Sequence, residues 1–151
     1  MQVAISADHA GFETKQQLVT ALTKRGYTIT DLGTHSTEPV DYPDFAEAVA
    51  QAIRSKQVER GIIVCGSGAG VSIVANKFPG VRAAVCHDLY TAHQAVEHDD
   101  MNVLCLGARV ISTKLALEIT ENFLKARFTG EDRHRRRLDK LLAVETKFLR
   151  S

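Results

Sequence analysis

Short apolar runs alternate with longer amphipathic segments along the whole chain. The runs predict five buried strands, because they are too short for helices and are rich in β-branched residues. The predicted strands are Met1–Ala7, Tyr27–Leu32, the run Ile62–Val64, Val81–Cys86 and Asn102–Leu106.

The amphipathic segments between these runs predict helices. Leu115, Ile119 and Phe123 follow one another at four-residue steps, and Ser112 precedes them as an N-cap. Gly26 ends the first helix, as glycine often does. The second predicted helix is capped by Asp44, and its apolar positions include Phe45, Val49 and Ile53. The other predicted helices are Glu13–Arg25, Val71–Lys77, Leu89–Glu97, Ser112 to near Gly130, and about Asp132–Phe148.

Strands that alternate with helices predict a parallel sheet with right-handed crossovers and helices on both faces. The expected fold is therefore α/β and doubly wound: a Rossmann-like three-layer αβα sandwich with a five-stranded parallel sheet and a C-terminal helix. A length of 151 residues suits a single domain spanning residues 1–151. In this class, ligands bind beyond the carboxyl ends of the strands, where the strand order reverses.

Composition narrows the function classes. The chain is 44% hydrophobic and 25% charged with a formal net charge of +1, so it has no global preference for nucleic acid or membrane. Three cysteines, an odd number beside apolar runs, argue against a secreted disulfide framework. No apolar stretch approaches about 18 residues and no signal peptide is visible. We expect a cytoplasmic protein.

The stretch GIIVCGSGAG, from Gly61 to Gly70, is the strongest candidate for chemistry. Cys65 ends the predicted strand, and the glycine loop after it would point backbone N–H groups at an anion. Val71 excludes a P-loop, a dinucleotide fingerprint and a cysteine phosphatase loop, and Cys65 itself excludes a nucleophile elbow. The loop therefore offers a thiol beside an anion-binding segment. A buried small hydrophobe is the alternative interpretation of Cys65.

Further polar residues are placed by the same topology. Asp8 and His9 follow the first strand and belong at the ligand-binding edge of the sheet. His98 and Asp99 instead end the helix before strand five, which puts them at the opposite edge unless the loop folds back. On the last helix, Arg133 and Arg137 share one face and could together bind one phosphate group. A solvated basic face is the alternative there.

Five motifs together resemble the type B ribose-5-phosphate isomerases from end to end. They are DHAG at Asp8–Gly11, DYPDF at Asp41–Phe45, CGSGAGVSIVANK at Cys65–Lys77, NVLCLGARV at Asn102–Val110 and RHRRR at Arg133–Arg137. Related members of that family act on galactose 6-phosphate or allose 6-phosphate. The resemblance implies interconversion of an aldose phosphate and its ketose through a cis-enediolate, without metal or organic cofactor.

The resemblance also implies a role for each matching residue. Cys65 would be the base, Ser67 would assist proton traffic between the two oxygens, and His98 would open the sugar ring. The thiolate is the reactive form of a cysteine, and the loop amides would favour it. The implied substrate-binding residues are Asp8 for sugar hydroxyls, Tyr42 lining the site, the loop residues Gly66, Gly68, Ala69 and Gly70 for the enediolate, and His9, Arg133 and Arg137 for the phosphate.

The family builds its site between two subunits, so the resemblance implies a homodimer or a tetramer. One departure affects the substrate. The family commonly has Asn where this chain has Asp99, and a carboxylate cannot donate the hydrogen bond that an amide can. Ribose 5-phosphate is the expected substrate; an isomerase of a six-carbon aldose phosphate and a non-catalytic sugar-phosphate binding module are the alternatives.

Overall fold

The structure, a computed structural model, describes residues 1–149 and has the predicted alternation of strands and helices. The strands are β1 (Gln2–Ala7), β2 (Thr28–Asp31), β3 (Arg60–Cys65), β4 (Ala83–Val85) and β5 (Val103–Gly107). The helices are α1 (Phe12–Lys24), α2 (Tyr42–Arg54), α3 (Ala69–Ala75), α4 (Leu89–Asp99), α5 (Thr113–Lys125) and α6 (Asp132–Phe148).

All five strands are parallel and lie in the order β2-β1-β3-β5-β4. The strand order reverses between β1 and β3, because the chain turns to one side after β1 and to the other side from β3 onward. Ala7 pairs with Val64 in the register, so the residues that follow each strand emerge side by side. A doubly wound sheet binds ligands at this position.

Helices cover both faces of the sheet. On one face, Leu18 and Leu22 of α1 and Phe123 of α5 pack against alternate strand residues such as Ile62. On the other face, α2 and α3 pack against the intervening residues such as Ile63. Every residue of β3 is buried, which explains its uninterrupted apolar run.

A buried ion pair connects α1 to β2. The Lys15 side chain is fully buried, and its Nζ lies 2.7 Å from Oδ1 and 2.7 Å from Oδ2 of Asp31. Asp31 also accepts a hydrogen bond from the Gly33 amide. The pair satisfies a charge that would otherwise be costly to bury.

Two predicted helix starts need correction. The N-cap position of α2 is held by Asp41, whose side chain makes no capping hydrogen bond, and not by Asp44, which lies inside the first turn. Pro43 also lies in that turn, where its missing N–H costs no hydrogen bond. Helix α3 begins at Ala69, two residues before the predicted Val71, because the loop already ends at Gly68 with φ +83°.

Other elements are shorter than predicted, and β2 loses Tyr27 and Leu32 at its two ends. Strand β4 covers Ala83–Val85 and not Val81–Cys86, because it is an edge strand that pairs only with β5 over three residues. Helix α5 keeps the predicted Ser112 cap but ends at Lys125, short of Gly130. Ala126 after it is extended, and its carbonyl accepts a hydrogen bond from Arg60. Within residues 1–149, no helix has both the length and the apolar composition needed to cross a bilayer.

Candidate active site

A cavity of about 420 Å³ opens at the point where the strand order reverses. Its walls come from the ends of β1 and β3, the start of α2 and the loop after β5. It is lined by Asp8, Tyr42, Cys65, Gly66, Ser67, Gly70, Arg109 and Val110. Six of these eight residues were predicted from the sequence as site residues, and we call this set the thiol cluster.

Cys65 is held by the glycine loop that follows it. The Gly68 amide donates a hydrogen bond to Cys65 Sγ over 3.0 Å. Gly68 itself has a left-handed backbone with φ +83°, which a residue with a side chain rarely adopts. The sulfur therefore has a backbone donor already in place.

The loop backbone packs too closely for larger residues. A Cβ on Gly70 would lie 2.5 Å from Cε1 of Tyr42, so the tyrosine ring lies directly over this glycine. A Cβ on Gly107 would lie 2.7 Å from the Ser67 carbonyl carbon. The Gly107 amide also donates to His87 Nε2 over 2.9 Å, so His87 holds the carboxyl end of β5 against which Ser67 packs.

The polar groups beside the thiol have defined partners. Asp8 is only 8% exposed, and its Oδ1 accepts a hydrogen bond from the Gly11 amide over 3.1 Å. Ser67 Oγ accepts from the Ala69 amide over 3.2 Å. His9 Nδ1 accepts from the Val40 amide over 3.1 Å, which leaves Nε2 as the protonated nitrogen of the neutral ring.

Arg109 is a residue of this cavity that the sequence interpretation missed. Its Nη1 lies 3.1 Å from the position that a Cβ on Gly66 would occupy, so the guanidinium covers that glycine. It is the only cation among the residues that line the cavity. Arg109 follows the carboxyl end of β5 by two residues, so the strand-end rule contained the signal.

His98, Arg133 and Arg137 lie in a second group, away from the thiol cluster. His98 belongs to the last turn of α4 and stacks on His134 of α6, with ring centroids 3.9 Å apart. Arg133 and Arg137 flank His134 on exposed positions of α6. We call His98, Arg133, His134 and Arg137 the histidine–arginine cluster.

Topology explains the separation. Helix α4 runs back along the sheet from the carboxyl end of β4 to the amino end of β5. Its last turn therefore lies at the sheet edge opposite Cys65, as the simple sequence interpretation expected. His98 does not line the Cys65 cavity.

His134 had no predicted role, yet it is only 2% exposed. Its Nδ1 is hydrogen bonded to Thr129 Oγ1 at 2.5 Å. Burial lowers the pKa of His134 below the ordinary value of about 6.5, and repulsion from His98 when that ring is protonated and from the Arg133 guanidinium adds to the effect. The neutral imidazole is therefore favoured in the folded chain.

Asp99 lies in a third environment. It is exposed and borders a cavity of about 650 Å³ that is mostly apolar and lies beneath α6, with Arg82 and Leu141 among its walls. Within one chain it does not meet Cys65.

The two remaining cysteines are core residues, as predicted. Burial raises the pKa of Cys86 to about 11, with the Asp88 carboxylate adding to the effect. Burial also raises the pKa of Cys105, which is fully buried in β5. Over the part of the chain that the structure describes, no three His, Cys, Asp or Glu side chains are grouped to hold a metal ion.

Comparison with known proteins gives one consistent result. A family model described as Ribose/Galactose Isomerase matches residues 3–141. The chain is 42% identical to ribose-5-phosphate isomerase B of Escherichia coli K12 over 144 residues, which cover 95% of this chain and 96% of the relative.

Solved structures agree with this result. A ribose-5-phosphate isomerase B of Clostridium thermocellum has a TM-score of 0.95 and 48% identity, with 98% of this chain and 99% of that chain covered. The Mycoplasma genitalium enzyme with bound ribulose-5-phosphate has a TM-score of 0.90 and 38% identity, with 97% of each chain covered.

Proposed function

The chain belongs to the ribose/galactose isomerase family, and on that premise we propose that it is a single-domain isomerase that interconverts ribose 5-phosphate and ribulose 5-phosphate. Its relatives named ribose-5-phosphate isomerase B match it over nearly their whole length. The observation that carries the proposal is the Gly68 amide donating to Cys65 Sγ in a cavity that also contains Asp8 and Ser67.

In the proposed reaction, the Cys65 thiolate removes the proton from C2 of the open-chain aldose. The electron pair forms the C1–C2 double bond of an enediolate, and charge moves to O1. Ser67 passes the proton of the C2 hydroxyl to O1, and the Cys65 thiol returns its proton to C1. A ketone then stands at C2. Proton transfer by a positioned group of this kind is general acid–base catalysis.

The charge that develops in this reaction needs donors that are already in position. The amides of Gly66 and Gly70 would act as an oxyanion hole at the loop and the first turn of α3, whereas those of Gly68 and Ala69 already donate to Cys65 Sγ and Ser67 Oγ and would reach the enediolate only by giving up these bonds. Asp8 would bind sugar hydroxyls and Tyr42 would cover them. Arg109 adds positive charge to the same cavity.

The proposed ring opening by His98 and phosphate binding by His9, Arg133 and Arg137 need both clusters at one substrate. In one chain the two clusters lie at opposite edges of the sheet. We therefore propose a homodimer in which the histidine–arginine cluster of one subunit completes the thiol cluster of the other; a tetramer of such dimers satisfies the same geometry. Exposed apolar side chains on α6, Leu141, Val144 and Phe148, offer surface for subunit contact.

A coupled isomerisation assay tests the proposal with ribose 5-phosphate, allose 6-phosphate and galactose 6-phosphate. We expect turnover with ribose 5-phosphate and its loss in Cys65→Ala. Turnover that survives in Cys65→Ala would remove Cys65 as the base. No turnover with any sugar would favour a non-catalytic binding module.

Asp99 favours a second candidate, an isomerase of a six-carbon aldose phosphate. Its carboxylate would repel the enediolate and could not donate a hydrogen bond as an amide does. Asp99→Asn should then change the ratio of kcat/KM between ribose 5-phosphate and allose 6-phosphate. An unchanged ratio would remove Asp99 as a substrate determinant.

A further inference from the structure

Gln94 lies one turn before His98 on α4 and contacts its imidazole directly. Gln94 Nε2 is 2.8 Å from His98 Nδ1, and both side chains are partly buried. Because the amide nitrogen donates, Nδ1 accepts and carries no proton in this arrangement. The proton of the neutral ring is then on Nε2.

We propose that Gln94 is a positioning residue that orients His98 for ring opening, with Nε2 directed to the sugar. The inference rests on the proposed role of His98. An amide suits this position because either end can face the ring. Its nitrogen donates to an unprotonated Nδ1, and after the side chain turns over its oxygen accepts from Nδ1–H of the imidazolium. Gln94 can therefore hold His98 in both protonation states of an acid–base cycle.

A second contact fixes the plane of the same ring. His134 stacks on His98 with an interplanar angle of 26°. Gln94 sets the rotation of the ring within that plane, and His134 covers one face. The two contacts come from different helices, and Nε2 lies on the side of the ring away from the nitrogen that contacts Gln94.

The charged and titratable groups around His98 come from two helices. Helix α6 contributes Arg133, His134 and Arg137. On α4, Glu97 is paired with His93 at 3.3 Å, and Asp99 follows His98. Arg133 is in turn paired with Glu131. Within this set, Gln94 is the group bonded to His98 Nδ1, and it is neutral. A substitution that gives this position a charge should therefore change the pH dependence of the reaction.

Two variants test the inference. Gln94→Met removes the hydrogen bond and keeps an unbranched side chain of similar length. In Gln94→Glu the carboxylate can only accept a hydrogen bond from Nδ1–H, so this variant favours the imidazolium form of His98. Gln51→Met, on the exposed face of α2, is the matched control for the same substitution.

The readout separates ring opening from proton transfer at carbon. Ribulose 5-phosphate cannot close a furanose ring because its 5-oxygen carries the phosphate. Exchange of its C1 proton with solvent deuterium therefore reports Cys65 chemistry without ring opening. We expect Gln94→Met to lower kcat with ribose 5-phosphate by on the order of tenfold, with KM and the exchange rate nearly unchanged. We expect Gln94→Glu to move the pH–rate profile upward by about 0.5 to 1 unit.

The outcomes are distinguishable. Unchanged kcat and an unchanged pH profile in both variants would overturn the inference, as would an exchange rate that falls together with turnover. If the wild-type protein neither turns over ribose 5-phosphate nor exchanges the C1 proton, the proposed function itself fails.

Nitrogen NMR of the imidazole tests the geometry without any substrate. The His98 ring of the wild-type protein at pH 8 should be the Nε2–H tautomer, and Gln94→Met should give a mixture of tautomers. An Nδ1–H tautomer in the wild-type protein would overturn the inference.

Discussion

The backbone amide of Gly68 donates a hydrogen bond to the Sγ of Cys65 over 3.0 Å. The two residues are three positions apart, and Gly68, which has a left-handed backbone, is also the N-cap residue of α3. The loop therefore acts on the thiol before any substrate arrives. In the mechanism that we propose, Cys65 moves a proton, and a donor already in place would support its reactive thiolate form.

Thiol-directed alkylation should identify Cys65 as the reactive cysteine. Cys86 has a pKa raised to about 11, so it stays a neutral thiol between pH 6 and 9, and Cys105 is fully buried. We expect iodoacetamide at pH 8 to modify Cys65 first. Isomerase activity should fall at the same rate as Cys65 is modified, and ribulose 5-phosphate should slow both changes. Peptide mass spectrometry over time checks the site. First modification at Cys86 would contradict the assignment.

Mixing two inactive variants tests whether the site is shared between subunits. Cys65→Ala and His98→Asn each remove one half of the proposed site. In a random mixture, half the dimers are hybrids, and each hybrid has one intact site, so activity should return to about a quarter of the wild-type level. Denaturation and joint refolding produce the hybrids. A mixture that stays inactive although hybrids are detected by mass spectrometry would place the whole site in one chain.

Arg137→Ala should weaken binding of the phosphate. Removing one charge-assisted contact to an anion costs about 2 kcal/mol, or on the order of 30-fold in KM, with a smaller effect on kcat. Arg136→Ala is the matched control, because Arg136 lies on a different face of α6 beside Asp132 and Asp139. Steady-state kinetics with ribose 5-phosphate and with unphosphorylated ribose separate the effects. Equal changes with both sugars would show that Arg137 does not bind phosphate.

Asp31→Ala should destabilise the fold by removing the partner of a buried ammonium. The Lys15 side chain is fully buried and Asp31 is 26% exposed, so the expected loss is about 3 kcal/mol, at the low end for a broken buried pair. Urea denaturation measures it, with exposed Asp139→Ala as control. The double variant Lys15→Met with Asp31→Ala should recover part of the loss. A single variant as stable as the wild type would show that Lys15 finds another partner.

His134 should make stability fall on acidification. Its pKa is below the ordinary value in the folded chain, so the unfolded chain binds more protons as pH drops through about 6.5 and below. The free energy of unfolding therefore decreases from pH 7 to pH 5. His134→Asn should flatten this slope, whereas exposed His35→Asn should not. Urea denaturation at several pH values measures the slope, and an equal slope in all three proteins would contradict the assignment.

The local pattern of the chain was enough to predict the sheet. Apolar runs between polar turns identified five strands, and the strand-end rule placed Asp8 and Cys65 at one edge. The same rule kept His98 away from Cys65 in a single chain. These inferences succeed because burial of a strand and the direction of a parallel sheet depend on short stretches of sequence.

The remaining features were decided by the tertiary structure. Arg109 covers Gly66, His87 accepts a hydrogen bond from Gly107, and His134 stacks on His98. Each of these contacts joins segments that are distant in sequence. Only the contact of Gln94 with His98 is local, because the two residues are four positions apart on α4. The predicted length of β4 was also wrong, because pairing of this edge strand with β5 decides its length. The predicted start of α2 was wrong as well, because the path of the loop before the helix decides where it begins. Which side chains meet across elements depends on register and packing angle, and the order of residues along one segment does not encode either.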